Sequence, residues 1–148
     1  MESEGTTHRL FIMKIFEREV KEMADAVITK KGREKLCRAH AGDLNLPRLK
    51  YIAYGDGGAD ENQIALPTTG EEVSLRNERF RIELDSHNYP IPTTCQYESE
   101  LDKSDLANVF LSEMGIFDEE EDLIIYKTFL PKGKDDDMLF NFSIKEIF

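Results

Sequence analysis

The stretch LKYIAYGDGG, residues 49–58, determines the predicted fold. Its first six residues are apolar or aromatic apart from one Lys, a composition that is typical of a β-strand. Three glycines follow within four residues, which indicates a sharp turn because glycine can adopt positive φ angles at little cost. The stretch therefore predicts a strand over residues 49–54 that ends in a tight turn at Gly55, Asp56 and Gly57.

Further strand-like segments follow this turn. The segment FRIEL, residues 80–84, alternates apolar and charged residues as a half-buried strand does. Residues 87–93, which contain two prolines, are predicted as a turn-rich link, and the acidic residues 118–122 as a solvated hairpin turn. The other predicted strands cover residues 94–101, 108–117, 123–130 and 138–147.

The segment before residue 43 is predicted to be helical. Residues 8–27 contain no Gly or Pro, and their apolar residues alternate at spacings of three and four, which is an a/d helical pattern. The residues of this seam are Met13, Phe16, Val20, Met23 and Val27. They form the candidate interface for oligomerisation or docking, and packing of the helix on its own domain is the open alternative.

A second helix is predicted from Lys30 to about Ala41, with Thr29 as its N-cap and Gly42 as its C-cap. The predicted fold class is therefore α+β. Two N-terminal helices precede a mostly antiparallel sheet or small sandwich of about six strands. Residues 1–28 would form an N-terminal helical extension, and residues 29–148 the main domain.

Composition and charge limit the classes of function. The chain has 148 residues with a net charge of −11, and residues 43–148 carry 10 basic and 23 acidic side chains, net −13. Such an acidic body repels phosphate, so we expect no nucleic-acid binding. No apolar run near the N-terminus is long enough to span a membrane, so we expect no membrane insertion and no signal peptide.

No common catalytic or metal-binding pattern is present in the sequence. None of the three histidines has another His or Cys at metal-ligand spacing, and the two cysteines form no CxxC motif. We therefore predict no catalytic, cofactor-binding or metal-ligating residues and no enzyme activity. The free thiols fit synthesis in a reducing cytoplasm.

Four segments, in order, resemble the tail-collar fibre proteins of phages. They are VITKKGREKL (27–36), LKYIAYGDGG (49–58), LRNERFR (75–81) and LSEMGIFD (111–118). The residues that carry the resemblance are Thr29, Gly32, Gly55, Asp56, Gly57, Asn77, Glu78, Glu113, Gly115, Phe117 and Asp118. The chain differs from the family in having glutamates instead of a glycine after Asp118, and in the segment before residue 27.

The resemblance implies a structural protein without cofactors. Such a domain attaches a tail fibre to the baseplate, contacts other tail or baseplate proteins, and forms homo-oligomers, commonly trimers. It would be made in the bacterial cytoplasm and assembled into a virion tail or a tail-like contractile particle. The alternative, which rests on the net charge, is an acidic interaction module such as an inhibitor or nucleic-acid mimic that binds a basic partner.

Overall fold

The computed structural model describes residues 10–17, 20–137 and 139–148. Within them the chain forms nine strands and one helix, α1 (Lys30–His40). The strands are β1 (Leu10–Glu17), β2 (Val20–Ile28), β3 (Leu49–Gly55), β4 (Glu78–Glu83), β5 (Ser86–Ile91), β6 (Thr94–Leu101), β7 (Val109–Asp118), β8 (Leu123–Lys134) and β9 (Phe140–Ile147).

The chain divides into two compact units. One, here called the helix-bearing unit, comprises Val27–Glu83 and Phe110–Lys132. The other, here called the terminal unit, comprises Met1–Ala26, Leu84–Val109 and Gly133–Phe148. The division into residues 1–28 and 29–148 that the sequence suggested stays a prediction.

The helix-bearing unit is built on the strand order β4-β3-β7-β8, and the last two residues of β2 pair with β8. β3 is antiparallel to both of its neighbours, so that Ile52 pairs with Ile82 on one side and with Ile116 on the other. A small core of buried residues comprises Ala53, Leu75, Phe117, Leu123 and Tyr126. These apolar side chains lie on the central strands and on the segment before β4, so the middle of the sheet is the best-buried part.

The helix α1 confirms the prediction for residues 30–41. The Thr29 hydroxyl accepts a hydrogen bond from the Gly32 amide at 3.1 Å, which is the predicted N-cap, and donates to the Leu123 carbonyl at 2.6 Å. Gly42 has a φ of +86°, the left-handed conformation that ends helices, one residue after the C-cap Ala41. The cap therefore fixes both where the helix begins and how it attaches to β8.

The terminal unit is an antiparallel sheet with the strand order β2-β1-β9-β6-β5. β1 pairs with β2 from Phe11↔Ala26 to Glu17↔Val20, and with β9 from Leu10↔Ile147 to Phe16↔Asn141. β9 also pairs with β6, so it lies between two partners, while β5 pairs with β6 and lies at the edge.

The prediction of two N-terminal helices was wrong, because residues 10–17 and 20–28 form the strands β1 and β2. The predicted α+β class is therefore replaced by a mostly β fold with one helix in the described residues. The spacing of three and four that suggested a helix leaves out residues 10–12 and Ile15, which are also apolar, and a run of this kind fits a strand as well as a helix. β1 pairs with β9, which lies more than a hundred residues away, and local spacing cannot show such a partner.

The candidate interface was defined by helical spacing, and this correction removes the helix on which that spacing was based. Met13 and Phe16 lie in β1, and Val20 and Met23 in β2, where the helical spacing does not apply. The side chains of these four residues lie outside the described part of the structure. Val27 is partly buried and packs against the core of the helix-bearing unit.

Two smaller corrections concern the strands β5 and β8. Part of the link over residues 87–93 is the strand β5, which tolerates Pro90 because an edge strand leaves one row of backbone groups unpaired. β8 continues to Lys134, past the predicted end of this strand at residue 130. Within the described residues, no helix combines the length and apolar composition that crossing a membrane requires.

Candidate functional site

A buried carboxylate lies at the centre of the helix-bearing unit. Glu113 is in the middle of β7, opposite Gly55 of β3, and is 0% exposed. Its Oε2 accepts hydrogen bonds from the backbone amides of Gly57 at 3.0 Å and Asn77 at 2.8 Å. Its Oε1 accepts from the Arg76 amide at 2.9 Å and from the Tyr126 hydroxyl at 2.6 Å. Both oxygens are therefore fully used by four donors, as a buried charge requires.

These donors come from separate parts of the chain. Gly57 belongs to the turn after β3, and Asn77 to the segment that leads into β4. The Asp56 carboxylate joins the same two segments, since it accepts from the Asn77 side-chain amide at 2.6 Å and pairs with Arg79 at 2.5 Å. We call this arrangement the Glu113 hub. It brings together the three resemblance segments around residues 55, 77 and 113.

The glycines of the turn are required by close packing. A Cβ at Gly55 would overlap the backbone of Asn77, and one at Gly58 would overlap the Ser112 carbonyl. Among the described glycines, positive φ occurs at Gly42 and Gly70. The expectation that this turn uses the conformational freedom of glycine was therefore wrong, and the lack of a side chain is what matters.

The Glu113 hub raises the pKa of Tyr126. Burial raises the pKa of the Tyr126 phenol, and the hydrogen bond to the Glu113 carboxylate raises this pKa further because the negative charge favours the protonated donor. Tyr126 is also a member of the apolar core. The phenol therefore stays a donor under ordinary conditions and ties β8 to the centre of β7.

A second buried charge lies where β7 ends. Asp118 is 1% exposed, and its Oδ2 accepts from the Lys35 ammonium of α1 at 2.6 Å. Its Oδ1 accepts from the backbone amides of Glu120 at 3.0 Å and Asp122 at 3.1 Å. The prediction that residues 118–122 form a solvated turn was thus wrong for Asp118, which organises the turn and anchors the helix.

The Lys35 ammonium is shared by three carboxylates. It lies 2.8 Å from Glu120 and 2.7 Å from Asp122 as well as near Asp118. Burial alone would lower the pKa of Lys35, but the hydrogen bonds to these carboxylates dominate and raise its pKa above the usual range. The three carboxylates lie within 4.8 Å of one another, as metal ligands would, and the ammonium already supplies their positive charge.

The other residues of the resemblance also have packing roles. A Cβ at Gly32 would lie 3.0 Å from Ile124, so the helix packs closely on β8, and a Cβ at Gly115 would press on Leu75 and Leu123. The Phe117 ring lies 3.8 Å beneath the guanidinium of an arginine, Arg81, that Glu78 holds by two hydrogen bonds of 2.9 Å.

Sequence reasoning did not identify Lys35, Tyr126 or Ser112 as partners in this site. Lys35 follows Gly32 by three residues, so both lie on the same face of α1, and this spacing is the one signal that could have marked it. Tyr126 and Ser112 look like ordinary strand residues in the sequence. Their roles depend on pairing between distant segments.

The observed contacts of this site hold separate parts of the chain together. Glu113 accepts four hydrogen bonds and Asp118 holds Lys35, so both carboxylates are committed to tying segments together. Comparison of the chain with protein-family models, with curated proteins and with solved structures found no match.

Proposed function

We propose that this protein is a structural component of a phage tail or a phage-tail-like contractile particle. In this role it attaches a tail fibre to the baseplate or serves as a short adaptor between them. The observation that supports the proposal is the Glu113 hub, where segments that resemble tail-collar fibre proteins meet. No catalytic step and no cofactor form part of the proposal.

The roles of the resemblance residues support a structural protein. Thr29 caps and docks the helix, Glu113 and Asp118 join segments, and Gly32 and Gly115 allow close packing. Residues that make such contacts maintain the shape of the domain. A constant shape is what an attachment domain needs, because it must fit its neighbours in a repeating particle.

The particle itself provides the decisive test. We expect mass spectrometry of particles purified from the source strain to detect the protein, and gold-labelled antibodies to mark the baseplate end. Deletion of the gene should give particles without fibres, and the wild-type gene should restore them. Absence of the protein from purified particles would refute the proposal.

The oligomeric state gives a second test with the isolated protein. We propose a homo-oligomer, and a trimer is the form that the resemblance favours. Phe110 and Leu130 lie on the neighbouring strands β7 and β8 and are 64% and 55% exposed, so they offer apolar surface for a contact. Light scattering over a wide concentration range should show a trimer that a double Phe110→Ser, Leu130→Ser variant weakens. A monomer at every concentration would contradict this part.

The net charge favours a second candidate, an acidic module that binds a basic partner. Residues 43–148 carry a net charge of −13, which attracts positively charged surfaces over roughly a Debye length, about 8 Å at physiological ionic strength. Binding to a basic protein that disappears in high salt, together with absence from particles, would favour this candidate over the first.

A further inference from the structure

A surface groove in the terminal unit is lined mainly by acidic and other polar side chains. The groove has a volume of about 380 Å³, within the range of ordinary small-ligand sites. Its described lining includes three carboxylates and no Lys or Arg. The lining residues that matter here are Asp85, Gln96, Glu98, Glu100, Asn141 and Ser143.

The pairing of β6 with β9 places several of these side chains on one face. Glu98 pairs with Ser143, and Glu100 pairs with Asn141. Directly paired residues in an antiparallel sheet point to the same side, and every second residue of a strand does so too. These four side chains therefore share the face on which the groove lies.

The carboxylates of the groove differ in the number of hydrogen bonds that they accept. Asp85 accepts one hydrogen bond, from the Glu100 amide at 2.9 Å. Glu98 accepts from the Gln96 side-chain amide at 2.8 Å and, over a longer 3.5 Å, from the Ser86 hydroxyl. The Glu100 carboxylate has no hydrogen-bond partner in the part of the chain that the structure describes. The groove thus holds acceptor oxygens that can still bind a donor.

The Ser143 hydroxyl is an independent sign of a missing partner. Ser143 is 8% exposed, and its Oγ has no hydrogen-bond partner among the described residues. A buried hydroxyl without a partner is unfavourable and calls for an explanation, because folded proteins satisfy most such groups. Its position opposite Glu98, on the face of the groove, puts an unused donor and acceptor beside the acidic cluster.

The geometry selects the chemical class of ligand. Within the described residues, the acidic groups close enough together to share one metal ion are Asp118, Glu120 and Asp122, and none of them lines the groove. Carboxylates spread around a groove of this size suit a larger cation with several N–H donors. A guanidinium or alkylammonium group meets this need, since each offers three or more donors and no acceptor.

We propose that this groove binds a guanidinium or alkylammonium group, with Glu98 and Glu100 pairing its charge and the Ser143 hydroxyl accepting one of its N–H groups. The group is either the side chain of an Arg or Lys on a partner protein or part of a free polyamine. The proposal concerns a site in the terminal unit and does not depend on assembly into a particle.

A titration of the full-length protein, followed by the shifts of its backbone amide signals in NMR, tests the proposal. Two probes separate the sources: acetyl-Gly-Arg-Gly-amide for a protein side chain, and spermidine for a free polyamine. We expect saturating shifts at the amides of β6 and β9 with a dissociation constant of about 1 mM, as for a small charged group. Saturation by the peptide alone assigns the site to a partner protein, and saturation by spermidine alone assigns it to a polyamine.

Three variants make the test specific. Glu100→Gln should weaken binding of the probe about threefold, and the double variant Glu98→Gln, Glu100→Gln about tenfold. Ser143→Ala should weaken it about threefold while leaving the thermal stability of the unliganded protein equal or higher, because it removes an unpaired buried hydroxyl. Loss of stability in Ser143→Ala would show that the hydroxyl serves the fold, which contradicts its role here.

The matched control is Glu61→Gln, which changes the net charge by the same amount at an exposed position of the helix-bearing unit. It should leave the dissociation constant unchanged. The proposal is overturned if the shifts fail to saturate below about 20 mM, well above the expected constant. It is also overturned if Glu61→Gln weakens binding as much as Glu100→Gln, since the attraction would then be a general effect of charge.

Discussion

The two units of this protein treat their acidic side chains in opposite ways. In the helix-bearing unit, Glu113 and Asp118 are buried and their oxygens are occupied by backbone amides, a phenol or an ammonium. In the terminal unit, Glu98 and Glu100 line an open groove with few partners. In the first arrangement the carboxylates are paired internally and hold segments together. In the second, the carboxylates keep acceptor positions that a ligand can use.

This difference indicates a division of roles. A carboxylate whose hydrogen bonds are all internal stabilises a fold, and its removal should be costly. A carboxylate with free acceptor positions contributes little to stability and is better suited to binding. The helix-bearing unit is therefore the part that we expect to maintain shape, and the terminal unit is the part that we expect to bind a cationic group.

The largest expected effect follows from Glu113→Gln. The amide keeps one acceptor oxygen but turns an NH₂ group toward backbone N–H donors, so at least one of the three backbone amides loses its partner. We expect a loss of about 3 kcal/mol in the free energy of unfolding, measured by urea denaturation with far-UV circular dichroism. Glu100→Gln, the same change in the groove of the terminal unit, should cost less than about 0.5 kcal/mol. Equal losses would contradict the distinction between the units.

The second-largest loss of stability is expected for Lys35→Met. It leaves the Asp118 carboxylate buried without its ammonium, although the amides of Glu120 and Asp122 still donate to it. We expect a loss of about 2 kcal/mol in the free energy of unfolding, less than for a buried pair with no other partners. Lys31→Met, an exposed position on the same helix, is the control and should change the stability by less than about 0.5 kcal/mol.

Features with local causes were predictable from the sequence. The helix α1 was found because Thr29 and Gly42, its two ends, are signals that lie next to it in the chain. The strand β3 was found because its composition and the glycines after it are contiguous. Most strands after residue 77 were also found in this way, with errors of a few residues at their ends.

Features with distant causes were not predictable. The run in β1 is a strand because β2 and β9 pair with it on either side. In the sequence, the two residues between the bounds of these strands are Arg and Glu, and neither is the Gly or Asn that would indicate a hairpin. The burial of Asp118 depends on Lys35, eighty-three residues earlier. The residues of the candidate site were therefore named from the resemblance, but their partners became visible in the structure.

The same Ser→Ala substitution can be made at one buried serine in each unit, and its effects on stability can be compared. The buried Ser112 Oγ accepts from the Gly58 amide at 2.8 Å, so Ser112→Ala strands a buried donor and should cost about 1–2 kcal/mol of stability. The buried Ser99 Oγ of the terminal unit has no partner among the described residues, so Ser99→Ala should raise the stability by about 0.5 kcal/mol. Opposite shifts of the urea midpoint are the expected result. Destabilisation by both changes would mean that Ser99 is satisfied in solution.

The smallest effect is a dependence on pH in the helix-bearing unit. The Glu72 carboxylate accepts from the amides of Thr69 and Gly70 at 2.8 Å, and the Gly70 carbonyl in turn accepts from the Lys30 amide at the start of α1. Burial alone would raise the pKa of Glu72, but these backbone hydrogen bonds outweigh it and lower this pKa.

A lowered pKa in the folded state stabilises the protein above the usual carboxyl pKa, and this contribution is lost as the pH falls through the folded-state value. Because Glu72 is only partly buried, we expect Glu72→Gln to cost about 0.5 kcal/mol at neutral pH. The difference from the wild type should vanish in acid. Glu71→Gln, the exposed neighbour, should show no difference at either pH, and a Glu72 effect that persists in acid would mean that the side chain contributes by packing instead of by charge.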